Sequence, residues 1–188
     1  MSLRYLIALL FVGSTAVNAA SISVSPSAQQ TLLGDAFSLE IEYDFSMETT
    51  AGGGLDVFYD PAILRFDSFS FDPNLPDDAA LRFQPTNPIG GEVRGIGFGS
   101  FFGISDQGRV GSLIFTAIST GTSAITVAEN VSGPNSPGPF VTEFGQPLTN
   151  LTLTGASVEV SAPVPLPGAL VLFASAFGLA YWRRRSPA

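Results

Sequence analysis

The pattern that most restricts the fold of this chain is a strict alternation of apolar and polar side chains. Every second residue of segment 36–43 is apolar, and the residues between are Ser or Glu; the apolar set is Phe37, Leu39, Ile41 and Tyr43. A period of two places one set of side chains on a buried face of a β-strand and the other set in solvent. The segment is therefore predicted to be a half-buried strand.

Similar short runs recur between residues 21 and 160, and turn-forming residues separate them. The predicted strands are 21–24, 36–43, 54–59, 65–71, 93–98, 110–118, 123–127 and 151–160. Nowhere in this part of the chain do apolar residues keep a 3.6-residue period for three turns. The pattern predicts an all-β fold, an antiparallel β-sandwich of jelly-roll type over 21–160. We expect Leu39, Ile41 and Phe115 in its core, and long proline-rich loops at 72–91 and 130–149.

Three chemically versatile residue types are missing. The chain has no Cys and no His, and all eight of its basic residues are Arg. Disulfides, thiolate nucleophiles, imidazole bases and Schiff-base lysines are therefore excluded. The sequence predicts a protein that is not an enzyme and that has no cofactor, with bound Ca²⁺ as the one alternative considered below.

Charge is distributed unevenly along the chain. All sixteen acidic residues lie between Asp35 and Glu159, together with only four arginines, so this segment has a formal net charge of −12. Because contacts to phosphate depend on Lys and Arg, the domain is predicted not to bind nucleic acid. The acidity also favours solubility of an exported domain, and a specific role in binding cations is the alternative.

The first twenty residues have the three parts of a secretory signal peptide. Arg4 provides the positive region, residues 5–12 are apolar, and the small residues Val17 and Ala19 suit signal peptidase. We expect export through the Sec translocon and cleavage after Ala19, or alternatively after Ala20. A permanent anchor is disfavoured because the apolar run is much shorter than the ~20 residues that a bilayer requires.

The last segment, 161–188, has the pattern of a membrane-anchoring tail. Residues 166–182 are uncharged and would span roughly 25 Å as a helix. The basic cluster Arg183, Arg184 and Arg185 follows directly, as expected for a stop on the cytoplasmic side. We therefore predict a single transmembrane helix at about 166–182, with the acidic domain outside the cell.

This tail resembles the PEP-CTERM sorting signal, which combines a short proline motif, an apolar helix and a basic cluster. The motif here is Val164, Pro165, Leu166 and Pro167, with Leu166 where the family's Glu would stand. The resemblance implies recognition by an exosortase in a bacterium that makes exopolysaccharide. It also implies an inner-membrane-anchored precursor that becomes a cell-surface or extracellular protein.

The middle domain resembles the cohesin-like branch of the carbohydrate-binding-module superfamily. The segments that carry this resemblance are 22–26, 33–39, 53–66, 108–117 and 121–126. The family implies a β-sandwich that binds either a polysaccharide or a protein partner. No dockerin sequence is visible in the chain, and the partner-binding face of cohesins does not map onto particular residues here.

Three groups of residues are weighed as candidate sites. Asp72, Asn74, Asp77 and Asp78 lie close together in one predicted loop, and Ca²⁺ prefers such oxygen ligands, although a solvated acidic loop is the simpler interpretation. Asp56 and Asp60 are a carboxylate pair, but nothing marks either as the raised-pKa acid of a glycosidase. Phe98, Phe101 and Phe102 are interpreted as core residues, with an exposed sugar-stacking platform as the alternative.

The sequence thus predicts a noncatalytic, exported surface or extracellular-matrix protein, sorted by an exosortase-type system and associated with exopolysaccharide or biofilm. A carbohydrate-binding module and a cohesin-type protein-interaction module are the alternatives for its molecular role. A cryptic hydrolase is a third alternative.

Overall fold

A computed structural model describes residues 19–85, 90–131 and 136–163, and these residues form two facing β-sheets. The strands are β1 (Ser21–Ser25), β2 (Ala28–Leu32), β3 (Ala36–Asp44), β4 (Thr50–Phe58), β5 (Leu64–Phe71), β6 (Glu92–Ile104), β7 (Gln107–Ala117), β8 (Gly121–Glu129), β9 (Val141–Thr142), β10 (Thr152–Thr154) and β11 (Ala156–Ser161). One 3₁₀ turn at Ala79–Leu81 lies between β5 and β6. The expected all-β sandwich is confirmed.

The two sheets are built from strands that are distant in the chain. The first sheet has the order β10-β1-β3-β7-β5, and the second has the order β2-β11-β8-β4-β6, with β9 paired to β4 beyond the end of β8. Most neighbours are antiparallel, as predicted. Two pairs, β1 with β10 and β2 with β11, are parallel, which departs from the purely antiparallel expectation.

The parallel pairs arise because two segments cross from the first sheet to the second side by side. The Thr152 amide donates to the Ala20 carbonyl at 2.8 Å before the crossing, and the Ser157 amide donates to the Ser27 carbonyl at 2.9 Å after it. At the crossing point a Cβ on Gly155 would lie 2.0 Å from a backbone carbonyl oxygen, so no larger residue fits without a shift. Both segments therefore run from one end of the sandwich to the other in the same direction.

This shared direction distinguishes the two ends of the sandwich. We call the end where β1 begins the Ala20 end, and the end where β11 finishes the Ser161 end. Strand directions place the last residues of β3, β5, β6 and β8, and the first residues of β4 and β7, at the Ala20 end. The chain leaves the described domain at the opposite end.

Aromatic rings fill the space between the sheets. Phe115 is fully buried and contacts the rings of Phe37, Tyr59 and Phe66 at centroid distances of 5.9, 5.2 and 5.7 Å. The predicted core residues Leu39, Ile41 and Phe115 are all buried.

A second aromatic cluster closes the core toward the Ala20 end. It joins Phe45, Phe98 and Phe140, with centroids 5.4 to 6.5 Å apart. The described core and strand pairings lie between Ala20 and Ser161, so we expect residues 19–163 to fold without the rest of the chain.

The predicted long loops are partly ordered by the sandwich. Phe83 forms an isolated bridge with Gly97 within the segment 72–91. Phe140 is fully buried within the segment 130–149, and β9 follows it directly. The sequence did not predict β2 or β9, because β2 has no apolar alternation and β9 has only two residues.

Several predictions fall outside the described residues. The signal peptide up to residue 18, the sorting motif 164–167, the helix at about 166–182 and the arginines 183–185 all lie there. Within the described ranges, no helix is long and apolar enough to cross a membrane. These predictions therefore remain predictions.

Candidate functional site

A wide bulge in β6 projects two phenylalanines at the Ala20 end. Gly52 of β4 pairs with Gly99 of β6, whereas Thr50 pairs with Ile104, so two steps along β4 correspond to five along β6. The extra residues bend away from the partner strand and re-aim their side chains. Within this bulge Phe101 is 75% exposed and Phe102 is 93% exposed. Interpreting these two as core residues is therefore wrong.

Phe98 on the same strand is buried, as predicted. The difference follows from the bulge, because Phe98 precedes it and keeps the inward orientation of its strand. The sequence indicated only that one of the two would face outward, since two adjacent residues of a strand point to opposite faces. Phe101 and Phe102 could not both have faced the core in a regular strand.

The bulge is held by hydrogen bonds from a neighbouring loop. The Asp78 amide donates to the Gly99 carbonyl at 2.8 Å, and a carboxylate oxygen of Asp78 accepts the Phe101 amide at 2.7 Å. The Ser100 hydroxyl accepts the Phe102 amide at 3.2 Å. Gly103, with φ of +78°, supplies the left-handed backbone on which the strand resumes. The two aromatic side chains are thus presented on an ordered backbone.

Two further apolar side chains are exposed at the same end. Met47 is 63% exposed in the β3–β4 turn, and Phe144 is 80% exposed in the hairpin that follows β9. Thr50 pairs with Ile104 on one side and with Thr142 on the other, so the bulge and the hairpin flank the same rung of β4. We call Met47, Phe101, Phe102 and Phe144 the apolar end patch. Sequence analysis did not single out Met47 or Phe144.

A small cleft with a glycine floor lies on the outer side of β4 and β6. Its volume is about 190 Å³, and Leu81, Phe83 and Pro137 line it together with the paired Gly52 and Gly99. Glycines leave the strand surface low enough for a side chain to approach the backbone. Because Gly99 is only two residues from Phe101, the cleft adjoins the apolar end patch.

The outer face of the first sheet carries a larger and more polar groove. Its volume is about 660 Å³, and its lining includes Glu40, Glu42, Asp44 and Asp106, with Arg109 as the only basic residue among those that line it. Arg109 is paired with both Asp72 and Glu40. The hydrogen bond to Asp72, and after it the negative charges of Asp72 and Glu40, raise the pKa of the Arg109 guanidinium. The groove is strongly acidic.

Tyr43 connects this groove to the core. The Tyr43 hydroxyl donates to an Asp106 carboxylate oxygen at 3.0 Å, while its ring stacks on Phe45. Burial and, after it, the bond to Asp106 raise the pKa of Tyr43, so the phenol stays protonated. The raised pKa of Tyr43 is therefore explained by its packing and by its bond to Asp106.

The three carboxylates among the four predicted calcium ligands are engaged in other contacts. One Asp72 oxygen accepts the Asn74 amide at 2.7 Å, and the other binds Arg109. Asp77 binds Arg82 through both carboxylate oxygens, and Asp78 holds the bulge. In the parts of the chain that the structure describes, no group of three or more acidic side chains is arranged to hold a metal ion. The geometry gives calcium binding no support.

The carboxylates considered for hydrolysis are also engaged locally. Asp56 accepts the Gly95 amide at 2.9 Å and the Asn130 side-chain amide at 2.7 Å. Asp60 accepts the Ala62 amide at 2.9 Å and so closes the turn after β4. Both residues stabilise connections between strands.

The predicted cleavage positions lie at the very start of the described chain. Ala20 is buried, and its carbonyl accepts a hydrogen bond from Thr152. Cleavage after Ala19 would keep both contributions, whereas cleavage after Ala20 would remove them. Cleavage after Ala19 therefore stays the prediction that retains these contacts.

The described residues form a two-sheet sandwich in which two segments cross between the sheets, and several solved structures with a similar fold are cohesin modules. A type I cohesin–dockerin complex from Clostridium thermocellum matches with a TM-score of 0.61 at 16% identity, covering 80% of this chain and 99% of the other. A type II cohesin domain from the cellulosome of Acetivibrio cellulolyticus matches with 0.58 at 18%, covering 75% and 95%.

A non-cellulosomal cohesin from the archaeon Archaeoglobus fulgidus matches with a TM-score of 0.55 at 15% identity, covering 77% and 92%. No protein-family model and no curated protein matches the sequence. The domain therefore has a cohesin-like fold, as the sequence resemblance implied, and identities this low establish the fold alone.

Proposed function

We propose that this chain is a noncatalytic protein-interaction module of cohesin type, displayed on the surface of a bacterium, and that its docking site is the apolar end patch. The observation that carries the proposal is the ordered bulge that exposes Phe101 and Phe102 on a cohesin-like sandwich. Exposed apolar side chains scattered singly are common on soluble proteins, whereas four of them gathered at one end of a domain are typical of a binding surface.

The patch has the parts that protein docking needs. Aromatic side chains contribute much of the energy at interfaces, and they act best when they insert beside a pocket on the partner or receive an anchor from it. Phe101 and Phe102 provide such side chains, and the glycine-floored cleft beside them provides such a pocket. Because Asp78 already orders the bulge, binding would lose little conformational entropy.

Display through the C-terminal tail is the second part of the proposal. The exported precursor would be held in the inner membrane by residues 166–182 and then processed by an exosortase at the motif 164–167. The arrangement of the domain supports this orientation. The described chain ends at Pro163 on the Ser161 end, so the apolar end patch would point away from the membrane.

A carbohydrate-binding module is the second candidate, and the adjacent exposed Phe101 and Phe102 favour it. Faces of aromatic rings stack on sugar rings, and a polysaccharide matrix would be a natural partner for an exported protein of this kind. The two candidates predict different adducts at the same residue, so one experiment separates them.

That experiment is photocrosslinking in the native host. Benzoylphenylalanine replaces Phe102 in the full chain, and a matched strain carries it at Ile118, which is exposed at the Ser161 end. A discrete protein adduct at position 102, and none at position 118, is the expected result. A polysaccharide adduct would favour the second candidate, and equal labelling at both positions would contradict a docking site in the patch.

The sorting part is tested by substitution in the tail. Replacing Pro165 and Pro167 with Ala should leave the protein uncut in the inner membrane, because the prolines keep the segment extended for the protease. Pro163→Ala, outside the motif, is the matched control and should be processed normally. Replacing the arginines 183–185 with Ser should weaken retention. Normal processing and location of all variants would refute exosortase sorting.

A further inference from the structure

We infer that the partner segment bound by the apolar end patch is an apolar sequence flanked by Lys or Arg. This inference rests on the proposed docking function and specifies the chemistry of its partner. It comes from the charged residues around the patch, which are mainly acidic, and the nearby arginines, Arg82 and Arg109, are already ion-paired.

Acidic residues lie in or beside each of the three segments that form the patch. Glu48 lies in the same turn as Met47, and its neighbour Thr49 packs against Gly103 at the end of the bulge. Glu143 precedes Phe144 in the hairpin after β9, and Asp78 lies beneath the bulge. Asp44 and Asp106 complete the acidic group where β3 meets β7.

No arginine offsets this charge. Within the described ranges every arginine is already in an ion pair: Arg82 with Asp77, Arg109 with Asp72 and Glu40, Arg65 with Asp67, and Arg94 with Glu92. Arg65 and Arg94 also lie near the Ser161 end, because each is close to the start of a strand that begins there. In the described part of the chain, the side chains of Glu48 and Glu143 have no hydrogen-bond or ion-pair partner.

The excess of acidic over basic side chains around the patch decides between the possible occupants. A second copy of this chain would bring an identical acidic rim against the first, and like charges placed together in an interface oppose association. An anionic lipid surface is disfavoured for the same reason. A segment with Lys or Arg beside its apolar side chains satisfies both the patch and the rim.

The test uses residues 19–163 and three synthetic 16-residue peptides with the same Leu and Phe positions. The peptides differ only in their flanking residues, which are Lys, Gln or Glu. Fluorescence anisotropy at low salt should show the Lys peptide binding at least about tenfold more tightly than the Glu peptide. At 0.5 M NaCl the difference should shrink to about twofold or less, because salt screens exposed charges.

Two variants separate the patch from the overall charge. F101S/F102S retains every charge of the domain and should abolish binding of the Lys peptide. E48Q/E143Q should reduce the preference for Lys over Glu several-fold. The charge-matched control D35N/E159Q removes two acidic residues at the Ser161 end and should leave the preference unchanged.

Each contrary result overturns the inference. Equal affinity for the Lys and Glu peptides would refute the charge complementarity, and a protein adduct at position 102 would still support the docking function. Unchanged binding by F101S/F102S would mean that the acidic domain attracts basic peptides without using the patch. Absence of binding by all three peptides at millimolar concentration would also reject this partner chemistry.

Discussion

The Asp78 carboxylate accepts the amide N–H of Phe101 at 2.7 Å, and the Asp78 amide donates to the carbonyl of Gly99 at 2.8 Å. One residue of the segment between β5 and β6 thus bonds to β6 at two points, immediately before and within the bulge. The presentation of Phe101 and Phe102 therefore depends on a residue that belongs to neither the strand nor the patch.

Removing this carboxylate should loosen the bulge. We expect D78A to lower the free energy of unfolding by about 1 kcal/mol, the usual contribution of one hydrogen bond. Amide exchange at Phe101 should become faster by clearly more than the roughly fivefold that the global loss produces in the β1 and β3 strands. Urea unfolding and hydrogen exchange by NMR measure the two effects. D35A is the control, and equal effects of D35A and D78A would contradict the role given to Asp78.

Phe115 and Phe102 offer a direct comparison of a core and a patch phenylalanine. Phe115 is fully buried among three rings, so F115A should cost about 3–5 kcal/mol of unfolding free energy. Phe102 is 93% exposed, so F102A should change stability by less than about 0.5 kcal/mol. Chemical denaturation of both variants measures the difference. A large cost for F102A would mean that the residue is packed.

The ion pair between Asp77 and Arg82 should be the most sensitive charged contact. The Asp77 side chain is fully buried, and Arg82 binds it with Nε and Nη2 at 2.6 to 2.9 Å. R82A would leave a buried carboxylate without its partner, at an expected cost of about 3 kcal/mol. R82K retains the charge without the two-pronged geometry and should recover only part of this loss. Thermal and urea unfolding provide the measurement, and no loss in R82A would contradict it.

Gly155 should be irreplaceable at the crossing between β10 and β11. A Cβ there would lie 2.0 Å from the Ile125 carbonyl oxygen, so G155A must push a crossing segment away from β8. We expect a loss of about 2–3 kcal/mol. Gly34 has φ of +95° but open space around it, so G34A should cost only about 1 kcal/mol from backbone strain. Equal unfolding midpoints for both variants would rule out this steric explanation.

Acid should destabilise the domain partly through Asp72. Hydrogen bonds from the Asn74 amide and from Arg109 lower the pKa of Asp72 below its ordinary value of 3.8. The folded state therefore binds this proton less readily than the unfolded state, and the resulting stability is present above pH ~4. It is lost as pH falls through the lower folded pKa. D72N should flatten the decline of the unfolding midpoint below pH ~4, and an unchanged slope would exclude this contribution.

Local alternation predicted most of the sandwich correctly. Segments 36–43 and 110–118 correspond closely to β3 and β7, because each strand exposes one face and buries the other. Alternation could not predict β2, whose sequence Ala-Gln-Gln-Thr-Leu becomes a strand only because β11 pairs with it. The parallel pairs were missed for a related reason, since a pattern within one strand contains no information about the direction of its neighbour.

The candidate site was the least predictable part. Phe101 and Phe102 were identified as aromatic residues of interest, but their exposure depends on a register shift between β4 and β6. The acidic residues Asp77 and Asp78 were correctly placed in one loop, yet each bonds to a different group. Spacing along the chain predicts that these carboxylates are close together. Their hydrogen-bond partners depend on how the loop folds, which the spacing does not show.

The sequence by itself determined the all-β class, the acidic character of the domain and the burial of Leu39, Ile41 and Phe115, because these depend on composition and on a period of two within single strands. The tertiary structure alone decided which apolar residues remain exposed. The pairing of Gly52 with Gly99 and of Thr50 with Ile104 produces the bulge, and these partners are far apart in the chain. Exposure of Phe101 and Phe102 is therefore a consequence of strand register, which no local pattern encodes.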